Sequence, residues 1–138
     1  SLYTVRKYLE IYNEGLILYS YARACDALRV ITQDIEALPR TSKSTTDLER
    51  RARFLFENAK ANLENSAADG QRSEENPLLL KLKQILIETY REESDMRGIV
   101  FVRTRQLAEI IADWMSETDD LKPIKAKKCT GAGAQITE

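Results

Sequence analysis

One stretch limits what this chain can fold into: Gly98-Ile-Val-Phe-Val-Arg-Thr-Arg-Gln-Leu-Ala108, where the apolar pattern changes from helical to strand-like. Ile99, Val100, Phe101 and Val102 form a continuous apolar run, rich in β-branched side chains, of the kind covered on both faces in a parallel sheet. Thr104 stands at a helix N-cap position, ahead of Leu107, Ile110, Ile111 and Trp114 at helical spacing. Lys125-Ala-Lys-Lys-Cys129 follows a Pro-containing loop and reads as a second strand, so residues 98–129 have the outline of a β-α-β unit. A lone unit of this kind cannot cover its own sheet, and the chain is expected to be a piece of something larger.

Everything before residue 98 reads as helix. Val5, Tyr8, Leu9, Tyr12, Leu16, Ile17, Tyr21, Leu28, Ile31 and Ile35 recur at three- and four-residue steps, predicting one long helix over 3–37 that Pro39 ends. Gly15 is its weak point and suggests the close approach of another backbone. Thr46-Asp-Leu-Glu49 has the form of a capping box and starts a second helix over 47–65. Its inward positions are Leu48, Ala52, Leu55, Phe56, Ala59 and Leu63; the outward ones, Arg50, Arg53, Glu57, Asn58, Lys60, Asn62 and Asn65, are rich in amides and bases. Asn76-Pro77 is an N-cap followed by a first-turn proline. The third helix then runs to about Glu93 with Leu79, Leu82, Ile85, Leu86 and Tyr90 inward. The expected fold is mainly α: a three-helix antiparallel bundle followed by a partial β-α-β unit.

With 138 residues, 43% of them hydrophobic, there is material for a core, and a formal charge of −1 means that any anion-binding surface must be local. The chain has no histidine, which removes Ser-His and Cys-His nucleophile pairs, histidine metal sites and the commonest general base. Cys25 and Cys129 stand alone and read as reduced thiols of an intracellular protein. No apolar run approaches the length of a membrane span.

Four features bear on chemistry. Arg103-Thr-Arg105 sets a hydroxyl between two guanidiniums, which suits phosphate oxygens and equally suits an N-cap with solvated flanking charges. Gly131-Ala-Gly133 lacks both the third glycine of a dinucleotide fingerprint and the Gly-Lys-Ser/Thr of a P-loop, and reads as a turn or as a loop touching a nucleic-acid backbone. The amide-rich face of the second helix is able to read an RNA minor groove or simply to keep the helix soluble. Lys122, Lys125, Lys127 and Lys128 read as a solvated strand edge.

Taken in order, Tyr12-Asn-Glu-Gly-Leu16, Ala22-Arg-Ala-Cys-Asp-Ala-Leu28, Glu75-Asn-Pro77, Arg97-Gly-Ile-Val-Phe-Val-Arg-Thr-Arg-Gln106 and Thr130-Gly-Ala-Gly133 resemble the RIG-I-like receptors. These are cytoplasmic sensors of viral double-stranded RNA, with relatives among the Dicer helicases. The resemblance covers nearly the whole chain. Its Arg-Thr-Arg-Gln and Gly-Ala-Gly forms look nearer the melanoma-differentiation-associated branch, or the branch without signalling domains, than RIG-I itself. It implies that residues 1–96 are the family's helical insertion domain and residues 97–138 the start of its second RecA-like helicase domain, with Val100 to Arg105 as motif IV. It implies RNA-stimulated ATP hydrolysis in an intact parent, where double-stranded RNA and the parent's other domains are the partners and ATP with Mg the cofactors. This segment itself carries no ATP-binding motif and is expected to hold no cofactor, no metal and no catalytic residue. RNA contacts carry over to Asn58, Lys60 and Asn62 on the second helix, to Arg103, Thr104 and Arg105, and to Gly131 and Gly133. A helical module that binds a protein partner without touching RNA is the alternative.

Overall fold

The computed structural model describes residues 2–39, 47–68 and 76–131. It is mainly α, with helices α1 (Leu2–Tyr21), α2 (Ala24–Glu36), α3 (Asp47–Ala68), α4 (Pro77–Glu92) and α5 (Arg105–Glu117), and a 3-10 turn at Lys122–Ile124. Two compact units divide the chain, Ser1–Asn76 and Pro77–Glu138.

In the first unit the expected helix over 3–37 is two helices. Arg23 breaks it with extended backbone, φ −81° and ψ 151°, although neither glycine nor proline stands nearby. The chain folds back at this point into an antiparallel hairpin. Gly15 of α1 faces Ile31 of α2, and Ile11 and Tyr8 share a cluster with Ile35 and Leu38, all pairs equidistant from residue 23. Gly15 is required by this packing: an added Cβ would lie 2.5 Å from Ile31 Cγ1. The close neighbour is thus a side chain rather than the backbone expected from the sequence.

Two polar devices hold the corner. Buried Asp26, 3% exposed, accepts from Arg23 Nε at 2.7 Å and Nη2 at 3.0 Å, with Arg29 Nη2 at 3.5 Å. The side-chain amide of Asn76 donates to the carbonyls of Tyr19, Ser20 and Ala22 at 3.2, 3.0 and 3.1 Å. Carbonyls at a helix C-terminus lack partners inside the helix, and the two N–H hydrogens of this one nitrogen are shared among three of those that the break leaves open.

α3 starts at Asp47, as the capping box predicts, but is rotated from its expected setting. Phe56 is buried at 4% exposure in the cluster of Tyr8, Ile11 and Ile35, and meets Tyr12 edge to face with centroids 6.5 Å apart. Ala52 packs beside it and Glu49 is buried, while Leu48 and Leu55, expected inward, are exposed. The 3.6-residue period explains the error: Glu49, Ala52 and Phe56 lie on one side, and Leu48 and Leu55 on its flank.

In the second unit, α4 begins at Pro77 as expected. Leu79 is fully buried and Leu82, Leu86 and Tyr90 are half-buried, whereas Ile85, expected inward, lies about 120° from Leu79 and is exposed. α5 also begins where the sequence places it: Thr104 Oγ1 accepts from the Leu107 amide at 3.1 Å. Leu107, Ile110, Ile111, Trp114 and Met115 are buried, and the 3-10 turn folds back against α5 behind buried Leu121. Substituting Thr104→Ala is expected to lower stability by about 1 kcal/mol, with Thr104→Ser close to neutral. Urea unfolding followed by helical circular dichroism checks this, and equal midpoints for all three chains would discount the cap.

The strands of the expected β-α-β unit do not form among the described residues. Ile99 to Val102 is not paired into a ladder, leaving Ile99 80% and Phe101 90% exposed. A strand exists only through a partner's hydrogen bonds, and here the second candidate fails as well. Lys125 adopts the left-handed conformation, φ 53° and ψ 53°, which caps the 3-10 turn and is incompatible with an extended ladder residue.

Candidate nucleic-acid interface

α3 presents one face to the core and another to solvent. At about 100° per residue, Arg50, Arg51, Phe54, Asn58, Asn62 and Asn65 cluster on the side opposite Phe56, and all six are exposed. Phe54 stands at the middle of this face, 63% exposed, between Arg50 and Asn58 one turn to either side. Arg50 Nη2 pairs with Asp47 at 2.6 Å in an exposed contact of little energetic weight. Glu57 and Glu64 run along one edge of the face, beside Arg53. The surface combines forked cationic donors, amides that both donate and accept, and an aromatic plane. Such a set is suited to phosphates, sugar hydroxyls and stacked or splayed bases.

Of the three positions expected to touch RNA on this helix, Asn58 and Asn62 lie one turn apart on the outward face. Lys60 is about 200° round the helix from each and is half-buried, so the three are not brought to one surface. Phe54 and Arg51 were missing from the sequence expectation. The signal for Phe54 was its position off the inward stripe, two residues before the buried Phe56.

Arg103, Thr104 and Arg105 form an exposed turn at the start of α5. The cap uses a lone pair of the Thr104 hydroxyl, which leaves its hydrogen available as a donor. The N-cap reading of Arg103-Thr-Arg105 is thus the one seen, with both guanidiniums exposed beside it. Gly131 is exposed, with nothing within 4 Å of where a side chain would start, and Gly133 lies outside the described residues.

The lysine cluster is less basic than its composition suggests. Lys122 Nζ sits 2.5 Å from Asp119, and Lys128 Nζ 2.7 Å from Glu109. The hydrogen bond from each lysine, and then its charge, holds that carboxyl below its ordinary range. These pairs persist at neutral pH and weaken as the pH falls through the depressed values. Lys83 of α4 is paired with Asp120 at 3.0 Å.

No group of three or more His, Cys, Asp or Glu side chains able to hold a metal exists among the described residues, and none of the helices there is long and apolar enough to cross a membrane. Cys25 and Cys129 are exposed free thiols.

Comparison with known proteins gives this geometry a context. The family described as the RIG-I receptor C-terminal domain matches residues 1–68, from the start of α1 to the end of α3. The chain is 32% identical over 133 residues to the antiviral innate immune response receptor RIG-I of Sus scrofa, covering 96% of this chain and 14% of that protein. It is 35% identical over 131 residues to the ATP-dependent RNA helicase DHX58 of Mus musculus, covering 91% and 18% respectively. Human RIG-I is 31% identical over 133 residues. The chain belongs to the RIG-I-like receptor family. It spans less than a fifth of the length of the curated relatives it matches.

Proposed function

We propose that this segment binds double-stranded RNA through the outward face of α3 and the Arg103–Thr104–Arg105 turn, and that it couples RNA binding to ATP hydrolysis in an intact helicase-like innate immune receptor of the cytoplasm. The observation that carries this reading is the alignment of Arg50, Arg51, Phe54, Asn58 and Asn62 on one exposed helix face. Kinship with receptors named for antiviral immunity and with an ATP-dependent RNA helicase supports it. In that parent, residues 1–96 serve as the helical insertion, a bundle built on the α1–α2 hairpin and α3. Residues 97–138 open a RecA-like domain in which Ile99 to Val102 gains the strand partners that complete a β-α-β unit. ATP and Mg bind in the parent outside this segment, which has no catalytic residue of its own.

RNA readout at these positions is electrostatic in part and therefore depends on salt. Titrating the 138-residue chain with a short blunt RNA duplex at two salt concentrations, with DNA as control, is expected to give binding that weakens steeply with salt and prefers RNA. Arg51→Ala is expected to weaken it and to lower the salt slope by about 1 if the guanidinium meets one phosphate. Asn58→Ala is expected to weaken binding without that change in slope. Absence of saturable RNA binding, or binding indifferent to both substitutions, would move the function of this face to a protein partner.

A further inference from the structure

The break between α1 and α2 has an unusual origin. Tyr21-Ala-Arg-Ala-Cys25 contains two alanines and an arginine, all good helix formers, and the apolar periodicity runs straight through it. Local preference alone would give a continuous helix over 3–37. What opposes it is long-range: the Asn76 amide on the carbonyls of Tyr19 and Ser20 in α1's last turn and of Ala22 just beyond it, and the packing of Gly15 on Ile31 across the hairpin. The local Arg23–Asp26 pair completes the corner.

We infer that residues 22–24 are a latched hinge, with Asn76 as the latch, and that releasing the latch lets α1 and α2 straighten and exchange between two copies of this chain. The driving force is the continuous helix favoured by sequence. The constraint is burial: straightening one copy alone would expose Ile11, Leu18, Ala27, Val30 and Ile35, all buried in the hairpin. A second copy offers the same complementary faces, so a swapped dimer restores these contacts and gains the helical turn that the bend interrupts.

The hinge itself supplies a selective lock. Ala24 is the first residue of α2, and Arg23 before it has the extended backbone that a following proline demands. Ala24→Pro is thus compatible with the bent form and forbids the straight one.

The test compares the whole 138-residue chain with Asn76→Ala, Ala24→Pro and the double variant. Each is annealed at high concentration and sized by chromatography with light scattering. Asn76→Ala is expected to raise the slowly exchanging dimer at least several-fold over the unmodified chain, and adding Ala24→Pro is expected to return it to monomer. Thermal midpoints supply a second readout that needs no dimer: Ala24→Pro is expected to hold or raise the midpoint in the single variant and to recover part of any loss in the double one. A dimer fraction unmoved by Asn76→Ala, a dimer that persists with Ala24→Pro, or a midpoint lowered by Ala24→Pro alone would overturn the inference. RNA affinity does not enter any of these outcomes.

Discussion

Phe56→Ala is expected to lower the stability of the first unit by about 3–5 kcal/mol, the range for removing a buried aromatic ring and leaving its cavity. Phe56 fills the space bounded by Tyr8, Ile11 and Ile35, and its ring edge meets Tyr12. Among the described side chains of α3, Ala52 is the smaller neighbour that joins it there. The ring therefore both anchors α3 and sets its rotation, and a domain stabilised by about 5–15 kcal/mol in all would lose a large share of that total. Urea unfolding should show a lower midpoint, and α3 should become the first helix to exchange its amide hydrogens. Because the same rotation turns Phe54 and Asn58 outward, RNA affinity should fall as well in a variant that contacts no RNA. A loss under about 1 kcal/mol would show that α3 is held elsewhere. Phe56→Leu, which keeps most of the volume, should retain most of the stability.

The second large effect is expected at Asp26. Its carboxylate is almost fully buried and takes two bonds from Arg23 and a longer one from Arg29. Removing one member of such a pair costs about 3–5 kcal/mol in fully buried settings, because the remaining charge is left without compensation. Arg23 retains some access to water, with 22% of its side chain exposed, which puts Asp26→Ala at the lower end, near 3 kcal/mol. Asp26→Asn keeps the shape and one acceptor and should cost less. The double variant Arg23→Ala/Asp26→Ala should be milder than the two single losses added together, since the pair is then removed as a unit. Strict additivity in that cycle would mean that the two side chains act independently.

The helix starts were legible because their determinants are local. Asp47 is the first residue after the N-cap position of a capping-box sequence, Pro77 follows Asn76, and Arg105 follows a threonine whose hydroxyl accepts from the amide three residues on. The break at Arg23 was not legible, because the group that answers the freed carbonyls is 54 to 57 residues further along the chain. The setting of α3 was hidden for a related reason. Leu48, Leu55, Phe56 and Ala59 are all plausible inward residues, and the contact between Phe56 and Tyr12 chooses among them. The strand residues Ile99 to Val102 have the right composition, but pairing is a property of two segments and cannot be satisfied by one. On the candidate interface, Asn58 and Asn62 were readable as outward positions from periodicity. Phe54 was readable in the same way, from its place off the inward stripe, but an aromatic ring looks like core until the helix is seen to turn it away.

The amide of Asn76 also sets an order of events during synthesis. α1 and α2 are complete once residue 36 has been added, yet the last turn of α1 keeps unanswered carbonyls until residue 76 emerges behind α3. While the nascent chain is shorter than that, water must serve those groups, and the corner is closed by a residue made after α1, α2 and α3. A ribosome paused before residue 76 would therefore display a hairpin lacking its final fastening.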